Sequence, residues 1–223
     1  MKTSAFPKFP KTTRVTKDVV LTEKIDGTNG LIYVQDANTE DARVMPGYDS
    51  FVSTWHGDYF IRAGSRNRWL KPGKESDNYG FASFVREHAE DLAGLRPGLH
   101  YGEWFGKGIN RGYGLEEKRF ALFNAGRFYD PKAPYTDPQT IDYGYGERPC
   151  PDSLTVVPVL AVTTFASVSR YLDIVCDTMP GAFSFLNMDF ARPEGVMVYD
   201  TATKVYKKCI FGSTSPKSLE SVK

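Results

Sequence analysis

Short apolar runs separated by polar turns dominate this sequence and predict a chain rich in β-strands. Residues 19–21 and 31–34 are two such runs, and the turn signals Asp26-Gly27 and Asn29-Gly30 lie between them. This spacing predicts a β-hairpin with Lys24 at its open end, its amine directed into a cleft. Similar runs predict further strands over residues 99–106, 118–124, 193–199 and 205–211.

Two segments carry apolar residues at helical spacing instead. Asp77-Asn78 is a helix-start signal, and the apolar positions that follow recur every three or four residues until Gly94. A second helix is predicted over residues 168–179, before Pro180-Gly181. Residues 128–152 are dense in Pro, Gly, Tyr and Asp and predict a long loop or insertion. The chain is therefore expected to be strand-rich with a few helices.

Composition and charge limit the classes of function. The 223 residues suit one large or two small domains, and 41% hydrophobic content supplies a core. Three widely spaced cysteines favour reduced thiols, and no apolar run reaches the length of a membrane span, so we predict a cytoplasmic protein without membrane contact. The three histidines lack metal-ligand spacing. With a net charge of +1, any nucleic acid must be bound by local basic patches.

The segment 22–30 concentrates chemistry, because it places Lys24 beside two carboxylates, a glycine turn and the amide of Asn29. A lysine amine is protonated at neutral pH and becomes a nucleophile only where its surroundings destabilise the ammonium form. Two interpretations remain open from these residues alone. The segment is a covalent nucleotide site, or it is a hairpin turn in which Lys24 is a solvated charge.

Other polar residues lie within apolar strands, where charges need partners. Glu103 alternates with apolar and aromatic residues and could accept ribose hydroxyls. Phe120 or Phe123 could lie against a purine ring. Glu194 begins one hydrophobic strand, and Lys207-Lys208 lies inside another.

Taken in order, these segments resemble motifs I, III, IIIa, IV and V of the covalent nucleotidyltransferase superfamily, which contains ATP-dependent RNA and DNA ligases and mRNA capping enzymes. The resemblance covers residues 20–210, and the matching segments are Lys24-Ile25-Asp26-Gly27-Thr28-Asn29, Gly102-Glu103-Trp104-Phe105-Gly106, Arg119-Phe120-Ala121-Leu122-Phe123, Glu194-Gly195-Val196-Met197-Val198 and Tyr206-Lys207-Lys208. Asn29 stands where DNA ligases and capping enzymes usually have arginine. Together with Ser65-Arg66 and the segment 104–109, it resembles the RNA ligase 2-like branch.

The resemblance implies an α+β nucleotidyltransferase fold of antiparallel sheets flanked by helices. It implies one domain over residues 1–223, with a lead-in over 1–17 and no C-terminal OB-fold. A partner could supply a C-terminal domain.

It also implies an ATP-dependent RNA ligase that joins a 3′-hydroxyl to a 5′-phosphate through AMP on Lys24. The expected ligands are ATP, Mg²⁺ or Mn²⁺, and RNA ends or nicked RNA, and we expect a monomer in the cytoplasm, that of the host if the chain is phage-encoded. By resemblance, Lys207 or Lys208 contacts the α-phosphate, Glu194 and Asp26 bind the metal, Glu103 binds the ribose, and the other nucleotide contacts are Glu23, Gly27, Asn29, Arg66 and Phe120 or Phe123.

Motif V departs from the usual pattern, because the two lysines are adjacent rather than alternating. Adjacent side chains of a strand face opposite sides, so one of the two points at a phosphate, and Lys208 is preferred. Basic patches precede motif I, surround Arg66 and accompany motif V, and Trp69 or Tyr79 could stack on exposed bases. Alternative hypotheses are a DNA ligase, a GTP-dependent capping-type enzyme and a non-catalytic RNA-binding module.

Overall fold

The computed structural model describes residues 18–133, 146–168, 170, 183–191 and 193–211. Its helices are α1 (Phe81–Glu87) and α2 (Ala89–Leu92). Its strands are β1 (Asp18–Lys24), β2 (Thr28–Asp36), β3 (Ser50–Thr54), β4 (Gly57–Gly64), β5 (Gly98–Gly106), β6 (Lys118–Leu122), β7 (Phe128–Tyr129), β8 (Arg148–Pro149), β9 (Thr155–Val156), β10 (Val159–Thr164), β11 (Phe183–Ser184), β12 (Asn187–Ala191), β13 (Gly195–Asp200) and β14 (Val205–Ile210). The predicted α+β fold of antiparallel sheets with few helices is confirmed.

A six-stranded sheet, in the order β3-β4-β2-β5-β6-β9, forms the larger layer. Its strands pair antiparallel except β6 and β9, which run parallel. Alternate residues of β2, β4 and β5 are buried, and helices α1 and α2 add Phe81, Val85 and Leu92 to the same core. This side of the sheet carries the main hydrophobic cluster of the described residues.

A four-stranded antiparallel sheet, in the order β10-β1-β13-β14, forms the second layer. Its apolar face holds a much smaller cluster, in which the buried residues are Val19, Leu21, Ala161, Val196 and Val198. Strand β14 is an edge of this sheet and is exposed along most of its length. The smaller sheet therefore has less buried apolar surface to hold it than the larger one.

The predicted hairpin around Asp26-Gly27 is wrong, because β1 and β2 belong to different sheets. Strand β1 ends at Lys24 in the four-stranded sheet, and β2 begins at Thr28 in the six-stranded sheet. The connection passes so close to β5 that a Cβ on Gly27 would lie 2.4 Å from the carbonyl oxygen of Trp104. The glycine is needed for this close approach between the two sheets rather than for a tight turn.

The first predicted helix begins later than expected. Asn78, Tyr79 and Gly80 all have positive φ, at 53°, 59° and 89°, so the backbone cannot be helical before Phe81. Gly80 is the N-cap of α1 and has no side chain that could accept a hydrogen bond. The carboxylate of Asp77 instead accepts the backbone N–H and the hydroxyl of Ser83, in the first turn, at 2.9 and 2.5 Å. The helix is also interrupted at residue 88, which separates α1 from α2.

Other expectations fall partly or wholly beyond the described part of the chain. The predicted helix over residues 168–179 lies almost entirely outside it. The predicted loop 128–152 has a short ladder at its ends, where β7 and β8 pair in parallel. Among the described residues, no helix has both the length and the apolar character needed to cross a membrane.

Candidate active site

Lys24 and Glu194 meet where β1 ends and β13 begins. Lys24 is paired with Gly195 across the two strands, which brings the neighbouring Glu194 alongside. The Nζ atom of Lys24 forms an ion pair with Oε2 of Glu194, and the two side chains are only 19% and 16% exposed. The amine is thus partly withdrawn from water and in direct contact with one carboxylate.

The six-stranded sheet supplies the opposite wall through Asn29, Glu103 and Arg66. Asn29 of β2 lies opposite Glu103 of β5, and its amide Nδ2 donates to Glu103 Oε2 at 3.0 Å. Arg66, which follows β4, donates from Nε to Asn29 Oδ1 at 2.9 Å. Asn29 therefore links a cation to a carboxylate, and its side chain is fixed at both ends.

The electrostatics show that the two walls are close together. The pKa of Glu103 is raised to about 7, because burial and the nearby charge of Glu194 outweigh the opposite effects of Lys24, the backbone N–H of Gly27 and Arg66. Glu103 thus interacts with Lys24 and Glu194 across the boundary between the sheets. A carboxyl group that titrates near neutrality beside an amine is typical of a functional site.

The strand register also distinguishes the two motif V lysines. Lys208 lies opposite Met197, whereas Lys207 lies opposite Val198. Met197 in turn lies opposite Thr22, two residues before Lys24 and on the same face. Lys208 therefore shares the face of Lys24, whereas Lys207 shares the opposite face, which carries Val198.

Comparisons with known proteins identify the family of this chain. The family model described as RNA ligase matches residues 17–211, which is most of the chain. The chain belongs to the RNA ligase family. No curated protein matches the sequence.

Solved structures of a Naegleria gruberi RNA ligase share the fold of this RNA ligase family member. The complex with PPi has 19% identity and a TM-score of 0.51, covering 87% of this chain and 50% of that one. A mutant with ATP and Mn has 18% identity and a TM-score of 0.51, with 87% and 50% covered. Another mutant with ATP and Mn has 18% identity and a TM-score of 0.52, with 93% and 58% covered. The chain thus spans about half the length of the ligase structures that it matches.

Of the two phenylalanines considered for contact with a purine, Phe120 belongs to the hydrophobic core. It is fully buried and packs against Phe81 of α1, with the ring centroids 4.9 Å apart. In this RNA ligase family member, Ala121 rather than Phe120 lies opposite Glu103. Phe123, two residues further on, therefore faces the same side as Glu103 and remains the aromatic candidate.

Glu23 was predicted to contact adenine, but its side chain is committed elsewhere. It is 1% exposed, and its carboxylate accepts the Ser184 hydroxyl at 2.6 Å and the backbone N–H of Phe185 at 2.8 Å. Burial raises the pKa of Glu23, while these hydrogen bonds lower it. The carboxylate joins β1 to the segment around β11 and does not face Lys24.

Asp26 is held by residues 110–113, which follow the segment 104–109 and which the sequence analysis did not single out. Its Oδ1 accepts Asn110 Nδ2 at 3.0 Å, and its Oδ2 pairs with Arg111 Nε at 2.9 Å. The backbone N–H of Asp26 donates to the buried hydroxyl of Tyr113 at 2.8 Å. The glycines in 106–114 were the available signal, since Gly106, Gly108, Gly112 and Gly114 all have positive φ, which glycine adopts readily.

The donor atoms suit a divalent cation that keeps much of its water. Within the described residues, no three side chains of His, Cys, Asp or Glu are grouped as a metal site. Oε2 of Glu194 is buried, and within the described residues its one contact is the ion pair with the ammonium of Lys24. A hard ion held by one or two carboxylates and by substrate phosphates fits this arrangement, whereas an all-protein cage does not.

The predicted basic patches lie in different surroundings. The patch before motif I lies outside the described residues. In the patch around Arg66, the side chain of Arg62 is buried and pairs with Asp49. Its guanidinium lies over the rings of Tyr33 and Trp69, at 5.4 and 5.3 Å from the ring centroids. Arg62 and Trp69 therefore support each other, whereas Tyr79 is 58% exposed.

Proposed function

We propose that this chain is the nucleotidyltransferase part of an ATP-dependent RNA ligase, which joins RNA 3′-hydroxyl and 5′-phosphate ends through AMP carried on Lys24. The contact between Lys24 and Glu194, with Glu103 on the facing sheet, is the observation that carries the proposal. Membership of the RNA ligase family and the fold shared with ligases solved with ATP and Mn support it.

In the first step, Lys24 Nζ attacks the α-phosphorus of ATP. The nitrogen–phosphorus bond forms as the bond from phosphorus to the bridging oxygen breaks, and pyrophosphate leaves. The amine must lose a proton, and the carboxylate in contact with it is that of Glu194. An in-line displacement of this kind depends mainly on positioning and charge neutralisation.

The remaining residues hold the nucleotide. Glu103 accepts ribose hydroxyls, and Asn29 fixes its orientation through the 3.0 Å hydrogen bond. Phe123 shares that face and lies against the adenine. Lys208 and Arg66 supply positive charge, the first beside the α-phosphate and the second on the phosphate side of the nucleotide or the RNA end.

The later steps use the same site. AMP passes from Lys24 to the 5′-phosphate of an RNA end, and a 3′-hydroxyl then displaces AMP to form the phosphodiester bond. Glu194 would hold a divalent cation, Mg²⁺ or Mn²⁺, which neutralises phosphate charge when bound. Asp26 could also bind this cation, but only if its carboxylate released Asn110 and Arg111.

Covalent labelling tests the proposal. The purified protein is incubated with α-³²P-ATP and a divalent cation, denatured, and examined for acid-labile label. We expect label on the wild type and none on Lys24→Ala. Lys107→Ala is a matched control, because that lysine is 64% exposed and pairs with Glu116, which is 91% exposed.

Absence of label on wild-type protein, with pre-adenylylated stock excluded by mass, would overturn the proposal. Label from GTP rather than ATP would point to a capping-type enzyme. Sealing of DNA ends but not RNA ends by the labelled protein would point to a DNA ligase.

A further inference from the structure

Three arginine side chains converge at the start of β5, about 17 Å along the strand from Glu103. Arg127 and Arg148 each donate from Nη2 to the carbonyl oxygen of Leu95, at 3.3 and 2.7 Å. Arg96 follows Leu95 directly in the chain. A single backbone carbonyl thus joins two guanidinium groups, and the charge of Arg96 acts on that of Arg148.

These charges are not balanced by nearby carboxylates. Across the described ranges of the chain, none of the three arginines forms an ion pair. Arg148 Nε is buried without a hydrogen-bond partner. Burial, and then the charges of Arg127 and Arg96, lower the pKa of Arg148, against a smaller effect of Glu147. Arg127 and Arg148 lie over the ring of Phe128 at 5.3 and 4.8 Å, which offsets part of their mutual repulsion. An anion would offset more of it, and guanidinium groups match phosphate oxygens well.

Arg96 is held in an unusual backbone conformation. Its φ of 67° and ψ of 165° lie in a region that is essentially confined to glycine. Its guanidinium donates from Nη2 to Nε2 of His56 at 2.7 Å, so that nitrogen of His56 is unprotonated. Backbone strain of this kind is concentrated at ligand-binding positions, where the surrounding structure maintains it.

An exposed tryptophan completes the group. Trp55 is 89% exposed in the β3–β4 turn, and its ring lies 3.2 Å from that of His56 between centroids. His56 thereby connects the indole to Arg96. A large aromatic ring beside clustered arginines is the combination that binds single-stranded nucleic acid, because bases stack on the ring while phosphates meet the cations.

We propose that Arg96, Arg127 and Arg148 bind a backbone phosphate of single-stranded RNA and that Trp55 stacks on a base of the same strand. The choice of RNA rests on the proposed function. This site lies away from Lys24 and holds the RNA at a distance from the end that reacts. It would supply affinity that a net charge of +1 does not.

Binding of a fluorescein-labelled single-stranded RNA tests the site. An RNA with a 5′-hydroxyl and a 3′-phosphate cannot be joined, so its anisotropy reports binding alone. We expect Arg96→Gln to weaken binding about fivefold and to reduce the slope of log K against log salt by about 0.7. We expect Trp55→Ala to weaken binding by at least about fivefold.

Two control variants match these changes. Arg86→Gln removes an exposed arginine whose Nη2 also donates to a backbone carbonyl, that of Gly47 at 3.1 Å. Phe51→Ala removes an aromatic ring that is 60% exposed on the neighbouring strand. Both should bind RNA within about twofold of the wild type. If Arg96→Gln and Trp55→Ala do no more than these controls, the site is not an RNA site.

Inorganic polyphosphate distinguishes RNA recognition from general anion binding. Competition by polyphosphate should weaken in Arg96→Gln and stay unchanged in Trp55→Ala, because polyphosphate has no bases. If Trp55→Ala leaves RNA affinity unchanged while Arg96→Gln lowers it, the proposal of an RNA site is overturned and an anion site remains.

Labelling by α-³²P-ATP on the same proteins separates this proposal from the proposed function and checks folding. If both variants are labelled as strongly as the wild type and bind RNA with unaltered affinity, the RNA site is overturned and the proposed function is not. Loss of RNA affinity with no lysyl-AMP in any protein, the wild type included, supports the RNA site and overturns the ligase mechanism.

Discussion

The two sheets that form the candidate site differ in how firmly they are held. The six-stranded sheet places Asn29 and Glu103 on strands backed by the main core and by α1. The four-stranded sheet carries Lys24 and Lys208 with a small apolar cluster behind it and an exposed edge strand. Under the proposed function, the groups assigned to the ribose lie on the sheet with the larger core, and the amine assigned as nucleophile lies on the sheet with the smaller one.

This difference suits a site whose lysine has to change partners. Lys24 forms an ion pair with Glu194, and in the proposed first step it leaves that contact to attack phosphorus. Asn29, in contrast, is fixed at both ends by Arg66 and Glu103. The following changes test the division of roles, beginning with the position where the sheets approach each other most closely.

Gly27→Ala should have the largest effect. The added Cβ would lie 2.4 Å from the Trp104 carbonyl oxygen and 2.9 Å from Cγ of Glu103, so the sheets must separate. We expect a loss of about 3 kcal/mol in the free energy of unfolding, measured by denaturant titration, and loss of lysyl-AMP formation.

Gly94→Ala is the control, since its nearest neighbour would be Pro151 Cγ at 3.7 Å. It should be neutral or stabilising by up to about 1 kcal/mol. Equal stability of the two variants would mean that the sheets do not approach closely at Gly27.

Lys208→Ala and Lys207→Ala form a matched pair on one strand. Lys208 shares the face of Lys24, so its removal should slow lysyl-AMP formation about 100-fold. Lys207 faces the other way, and its removal should change the rate by less than about threefold. Single-turnover labelling with saturating ATP measures both rates. The reverse order would show that the register of β14 against β13 differs by one residue from the one described.

Some features of the candidate site could be predicted from the sequence, and others could not. The resemblance to the superfamily motifs grouped Lys24, Glu194 and Glu103, and the structure places the three close together. Alternation alone did not separate Phe120 from Phe123. That choice depends on the register between β5 and β6, a long-range property.

The assignment of strands to sheets could not be predicted either. An Asp-Gly turn between two apolar runs has the same local pattern whether the strands pair with each other or diverge. Here Lys24 pairs with Gly195, which is far along the chain. The partners of Asp26 were missed for a related reason, since Arg111 and Tyr113 belong to a loop whose positive φ angles have no periodic signal.

Glu103→Gln should alter the pH dependence of stability. The pKa of Glu103 is raised from 4.5 to about 7 in the fold, so the folded state binds its proton more tightly than the unfolded state. Its stabilising contribution is complete below pH 4.5 and is lost as the pH rises through about 7. Because glutamine does not ionise, the variant should gain about 1–2 kcal/mol on the wild type across that range.

Denaturant titrations of both proteins at several pH values check this result. The exposed Glu40 provides a control, and Glu40→Gln should follow the wild type at every pH. A stability difference that does not change with pH would show that Glu103 is a solvated carboxylate, and a wild type that gains stability relative to Glu103→Gln as the pH rises would show that it is ion-paired.

Arg111→Gln should have the smallest effect on stability and still reveal how the junction is held. Arg111 and Asp26 are 38% and 27% exposed, so their ion pair should contribute about 0.5 kcal/mol or less and weaken with salt. Arg119→Gln, which breaks a similar surface pair with Glu117, should cost as little. Asp26 follows Lys24 by two residues, so only Arg111→Gln should raise the KM for ATP, by about threefold, in the labelling assay. A loss of more than about 2 kcal/mol from Arg111→Gln would mean that the loop after β5, rather than the packing at Gly27, holds the two sheets together.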